Sequence, residues 1–174
     1  AVARGATILC EVVGYGFSSN GGGISQPSDE GSVTAMTRAL NDANLSPADI
    51  DYVNAHGTGT PNNDASESVA LRSVFGEKVP PVSSTKSRTG HTTSASGSIE
   101  SVICLLAMRQ GFIPSNLNWQ KPMADGIVPV AQTLREQQLR HVLCNSFGFG
   151  GNDTSLVFSA LPTSKQPSQR PALR

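Results

Sequence analysis

Three short segments of this 174-residue chain concentrate side chains able to move protons or hold negative charge. Asn54-Ala55-His56-Gly57-Thr58-Gly59-Thr60 places a histidine just after an apolar stretch, with two hydroxyls beyond it. Ser84-Thr85-Lys86-Ser87-Arg88-Thr89-Gly90-His91 carries a lysine and a second histidine, and Glu100 follows nine residues after His91. The third is the glycine-rich run from Asn145 to Asn152, which contains Phe147 and Phe149. Imidazoles in such loops suit proton transfer or hydrogen bonding to a developing oxyanion. Taken singly, each residue also has a structural use. A histidine beside glycine serves as a hydrogen-bonded structural residue, Lys86 as a solvated cation, Glu100 as a paired carboxylate, and the glycines as a tight turn. Position weighs against those uses. His91 stands ahead of a long apolar helix whose positive N-terminal end disfavours a protonated ring, which leaves a neutral imidazole to donate a hydrogen bond.

A nucleophile to accompany these histidines is harder to find. Cys10 and Cys144 lie in strand-like runs and Cys104 in an apolar helix, where a thiolate is poorly solvated, so they read as inert, reduced core residues. Ser83-Ser84-Thr85-Lys86 fits the S-x-x-K pattern of serine acyl-enzymes, but neither S-D-N nor K-T-G occurs, and Pro81 favours a strand there rather than a helix start. His56, His91 and His141 lie 35 and 50 residues apart, without the short ligand spacings of zinc sites, so no metal is expected.

The elements that must position these residues alternate. Ala6 to Phe17 is β-branched and apolar and predicts a strand, followed by a loop over Ser18 to Pro27. Ser28-Asp29-Glu30 ahead of Val33, Met36, Ala39 and Leu40 predicts a capped amphipathic helix to about Ala43. Ile50 to Asn54 and Pro81 to Ser84 predict short strands. Between them a helix begins over Pro61-Asn62-Asn63-Asp64, with Asp64 and Glu67 spaced as in a capping box, Val69, Ala70, Val74 and Phe75 facing inward, and Gly76 as its stop. Thr93 to Arg109 predicts a helix buried on most sides, and His141 to Ser146 with Ser155 to Leu161 an antiparallel hairpin. The resulting fold class is α/β, one domain over residues 1–161, with a disordered tail over 162–174.

Composition removes several function classes. Thirteen basic and 13 acidic residues give a formal charge of zero, which speaks against nucleic acid and anionic membranes as partners. No apolar run reaches membrane-spanning length and three dispersed cysteines suit a reducing compartment, so a cytoplasmic protein is expected. The chain opens on Ala1 rather than methionine and enters a strand-like stretch almost at once, as a segment of a longer protein would.

Together, Asn54-Ala55-His56-Gly57-Thr58-Gly59-Thr60-Pro61, Ser84 to His91 with Glu100 beyond, and Asn145-Ser146-Phe147-Gly148-Phe149-Gly150-Gly151-Asn152 resemble, in order and spacing, the β-ketoacyl-ACP synthases, the elongating ketosynthases of fatty acid and polyketide synthesis. The resemblance spans about residues 4–161 and falls on the C-terminal half of such an enzyme. It implies half of a thiolase-like layered fold, a mixed sheet covered by helices, and decarboxylative Claisen condensation of an acyl-enzyme with malonyl-ACP. His56 and His91 would hold the malonyl thioester oxygen and stabilise the enolate. Lys86, near the second histidine, and Glu100, its buried partner, would orient and tune the site. The backbone N–H of Phe149 would be an oxyanion donor, Phe147 the gate beside the acyl pocket, and Thr58 and Thr60 hydrogen-bond partners of the phosphopantetheine arm. The implied partners are an acyl carrier protein, the N-terminal half with its nucleophilic cysteine, and a second copy in a homodimer, so the isolated chain is expected to be inactive and to expose an apolar face. Ser94-Ala95-Ser96-Gly97 departs from the family's Gly-Ala-Ala-Gly run, and Asn152-Asp153 from its Thr-Asn. Two other readings stay open: a non-catalytic subunit like a chain-length factor and, more remotely, a serine-lysine acyl-enzyme.

Overall fold

A computed structural model describes residues 1–19, 23 and 27–161. The tail over 162–174 and most of the loop between Ser18 and Pro27 lie outside the described residues. Five strands form a mixed sheet: β1 (Glu11–Ser19), β2 (Tyr52–Asn54), β3 (Val82–Ser83), β6 (His141–Gly148) and β7 (Asn152–Ser159), in the order β1-β7-β6-β2-β3. The first three in that order run antiparallel, whereas β2 lies parallel to both β6 and β3. Helices α1 (Asp29–Asp42), α2 (Pro61–Phe75), α3 (Lys86–Thr89) and α4 (Ser96–Gln110) connect them, and β4 (Phe112–Ile113) pairs with β5 (Leu134–Arg135) in a separate ribbon.

Alternation along the strands divides the core between the two faces of the sheet. Val53, Leu143 and Val157 pack with Met36, Ala39 and Leu40 of α1 and with Ala70, Leu71 and Phe75 of α2. Tyr52, Val142, Cys144 and Phe158 pack with Cys104 and Ala107 of α4. At Gly16 on β1 an added Cβ would lie 1.9 Å from the Ala35 carbonyl oxygen, so only glycine lets α1 sit this close to the strand. Ser28 caps α1 as its sequence predicts, accepting from the Gly31 N–H.

Several boundaries and faces differ from expectation. β1 begins at Glu11 rather than Ala6, because its partner β7 ends at Ser159, opposite Glu11. On α2, Leu71 is buried while Val69 is 45% exposed. Thr60 is the N-cap of that helix, and the supposed capping-box pair is used elsewhere: Asp64 accepts from the Gly59 N–H, and Glu67 turns inward. On α4 only Ser96, Glu100, Cys104 and Ala107 are buried, with Val102 56% and Leu106 40% exposed. Its apolar sequence serves one covered stripe, not burial on most sides. Tyr15 and Phe17 of β1 are also exposed. Among the described residues no helix is long and apolar enough to cross a membrane.

Candidate active site

Parallel pairing of β2 with β3 sets Asn54 opposite Ser83, so the segments leaving these strands run side by side. His56 follows the first and Lys86 the second. Lys86 Nζ donates to His56 Nδ1 at 3.1 Å and pairs with Glu100 Oε1 at 2.5 Å, both contacts buried. The lysine that neighbours His91 in sequence therefore serves His56 in space. The His91 ring stands edge-on to the His56 ring, with centroids 5.4 Å apart, and the Phe147 ring lies 5.9 Å from that of His56.

His56 is held from below by a residue that its sequence context assigned to helix capping. Glu67 accepts from the His56 N–H at 2.9 Å and the Gly57 N–H at 2.8 Å, and the Asn145 side-chain amide donates to it at 3.2 Å. Its position on the inner stripe of α2, in register with Ala70, Leu71 and Val74, was the available signal: a carboxylate there needs buried partners. Gly57, at φ 41°, closes the turn where any Cβ would come within 2.5 Å of the Ser84 Cβ. The Ser84 hydroxyl donates to the Gly57 carbonyl at 2.8 Å.

Both rings have their Nδ1 atoms engaged as acceptors. The Lys86 ammonium can only donate to His56, and the Thr93 backbone N–H, at 3.1 Å, can only donate to His91. In its neutral form each imidazole therefore carries its proton on Nε2. Burial first, then the Lys86 cation and His91, push the His56 imidazole down to about 3. Burial pushes the Glu100 carboxyl up, against the opposing pull of Lys86. The arrangement is a pair of hydrogen-bond donors beside a buried ion pair.

The remaining candidates are spread around this centre. Thr58 is half-buried and Thr60 exposed, their hydroxyls 2.8 Å apart. Phe147 is buried at the end of β6, and Phe149 sits in the β6–β7 turn with its side chain 83% exposed. Ser83, the serine of the S-x-x-K pattern, is fully buried with its hydroxyl 2.9 Å from the Tyr52 hydroxyl, while Lys86 is committed to His56 and Glu100. The contact with Cys104 and burial push the Cys144 thiol up, and burial does the same to Cys10. Those two thiols are poor nucleophiles. No cluster able to hold a metal occurs among the described residues.

This geometry is matched by a sequence family. The family described as "Beta-ketoacyl synthase, C-terminal domain" matches residues 9–120, well over half of the chain. The chain belongs to the β-ketoacyl synthase family. It is 42% identical over 163 residues to 3-oxoacyl-[acyl-carrier-protein] synthase 1 of Escherichia coli K12, covering 92% of this chain and 39% of that protein. It is 40% identical over 161 residues to nodulation protein E of Rhizobium meliloti, covering 91% of this chain and 40% of that one. Among solved structures it superposes on the ishigamide ketosynthase/chain length factor with a TM-score of 0.89 at 35% identity, over 93% of this chain and 40% of that chain. A type II polyketide ketosynthase bound to its acyl-carrier protein gives 0.86 at 32% identity, over 93% of this chain and 41% of that chain. The ketosynthase fold is thus established, as a thiolase-like α/β arrangement, and the chain spans about 40% of the length of these relatives.

Proposed function

We propose that the chain supplies the decarboxylating half of a β-ketoacyl-ACP synthase active site. The observation that supports this reading is the closeness of the His56 and His91 rings, 5.4 Å between centroids, with a donor on each Nδ1, which leaves Nε2–H as the group each neutral ring can offer. In this reading the thioester oxygen of malonyl-ACP accepts from both Nε2–H groups. The carbon–carbon bond to the carboxylate breaks, carbon dioxide leaves, and the electron pair passes into the enolate whose oxygen the two donors hold. The enolate carbon then attacks the carbonyl of an acyl group carried as a thioester on a cysteine of the N-terminal half. A carbon–carbon bond forms and the cysteine thiolate departs. Lys86 and Glu100 act by fixing His56, and the Phe149 N–H with the cysteine N–H holds the second oxyanion. Thr58 and Thr60 bind the phosphopantetheine arm, and Phe147 borders the acyl pocket. The chemistry uses no metal or organic cofactor, and the working assembly is a dimer that receives both substrates from acyl carrier protein.

The test is condensation by the complete synthase carrying this chain, supplied with acyl-ACP and malonyl-ACP and read by mass spectrometry of the carrier-bound product. A 3-oxoacyl-ACP two carbons longer is expected, with none formed by the 174-residue chain alone. A complete protein that binds carrier but forms no product would be a non-catalytic subunit of the chain-length-factor kind. Turnover by the chain alone would refute the assignment of the nucleophile to the N-terminal half.

A further inference from the structure

Where the segment after His91 enters α4, the chain runs Ser94-Ala95-Ser96-Gly97. Two donors from that segment converge on one atom. The Thr93 N–H and the Ser96 hydroxyl each lie 3.1 Å from His91 Nδ1. Ser96 is only 6% exposed, and its oxygen lies 3.4 Å from the Thr92 hydroxyl. Thr93 has φ 51°, a left-handed conformation that a β-branched residue adopts only when its surroundings compel it. That conformation aims its N–H back at the ring. Gly97 keeps the start of α4 against β6, since a Cβ there would lie 3.0 Å from the Ser146 hydroxyl oxygen.

A single donor to Nδ1 fixes the tautomer but leaves the imidazole free to pivot about that hydrogen bond. A second donor from a different direction removes that freedom. We propose that Ser96 is a positioning residue which, with the Thr93 N–H, locks His91 as the Nε2–H tautomer in one ring orientation. His91 differs in this respect from His56, whose lock is the Lys86 ammonium. The consequence for turnover rests on the reading of His91 as an enolate donor; the lock itself does not.

The experiment compares wild type, Ser96→Ala and Ser96→Thr in the complete synthase. Histidine is 15N-labelled, the His91 signals are assigned by their loss in His91→Ala, and malonyl-ACP decarboxylation is followed in parallel. In Ser96→Ala the His91 nitrogen signals should move or broaden towards exchange between ring states. The decarboxylation kcat should fall about three- to tenfold at unchanged KM, as expected for loss of one neutral hydrogen bond. Ser96→Thr, which keeps the hydroxyl, should restore both readouts. Unchanged His91 signals in Ser96→Ala would overturn the lock. Altered signals with undiminished decarboxylation would overturn Ser96 as a positioning residue, whereas undiminished decarboxylation in His91→Ala would overturn the role of His91 itself.

Discussion

Removing either member of the Lys86–Glu100 pair should cost more than removing both. The two side chains are 4% and 2% exposed and meet at 2.5 Å, so each single variant leaves a charge-bearing group buried without its partner. Such losses run to about 3–5 kcal/mol, a large share of the roughly 5–15 kcal/mol that holds a domain folded. The two singles should not be equal. After Lys86→Met, the Glu100 carboxyl, already pushed up by burial, takes up a proton and sheds its charge. After Glu100→Leu, the ammonium is left facing only His56 Nδ1. Glu100→Leu should therefore be the more damaging single change, while Lys86→Met should lose stability as pH rises and its carboxyl is forced to ionise. The double variant, apolar at both positions, should recover most of the loss, so the single effects should exceed the double by a coupling of about 5 kcal/mol or more in a double-mutant cycle. Urea unfolding followed by far-UV circular dichroism measures all four corners. Single effects that add to within about 0.5 kcal/mol would refute the reasoning, because independent sites behave that way.

Three further outcomes follow from the same geometry. Folded His56 stays neutral down to about 3, whereas the unfolded imidazole titrates near 6.5. Its contribution is therefore intact above pH 6.5 and lost as pH falls, by about 2 kcal/mol at pH 5. His56→Gln should flatten that part of the stability profile, and an unchanged slope would count against a buried neutral ring. Gly16→Ala sets a Cβ 1.9 Å from the Ala35 oxygen and 2.5 Å from the Ala39 nitrogen, both backbone atoms, so α1 must lift. A loss of about 3 kcal/mol is expected in urea melts, and a neutral substitution would show that α1 does not lie against β1 as described. Glu67→Ala strands the N–H groups of His56 and Gly57 and should destabilise by about 3–5 kcal/mol. Glu67→Gln, which keeps one acceptor, should lose clearly less, and equal losses would mean that the carboxylate is not what holds the turn.

What the sequence made legible was local. The three motifs, the capped start of α1 and the β6–β7 hairpin are each written in contiguous residues whose types carry their own conformational preference, such as Ser28 ahead of α1 or the glycines after Phe147. Pairings across the fold were less legible. Lys86 lies five residues from His91 and 30 from His56, yet parallel pairing of β2 with β3 delivers it to the distant ring. Glu67 has a cap-like spacing from Asp64, but Pro61 sets the helix start one turn earlier and frees the carboxylate to reach the His56 turn. An apolar helix such as α4 does not announce which of its faces is covered, so Val102 and Leu106 could be placed only once the sheet beneath was known. The second donor on His91 was equally hidden, because Ser96 reads in sequence as a helix-packing change rather than as a contact to the ring.

The central claim is that His56 and His91 together hold the enolate oxygen. The most direct test separates the two steps of the reaction in the complete synthase by comparing wild type with His91→Ala. Acylation of the cysteine by acyl-ACP should persist in the variant, while release of carbon dioxide from malonyl-ACP should be abolished. Full decarboxylation by His91→Ala would contradict the account.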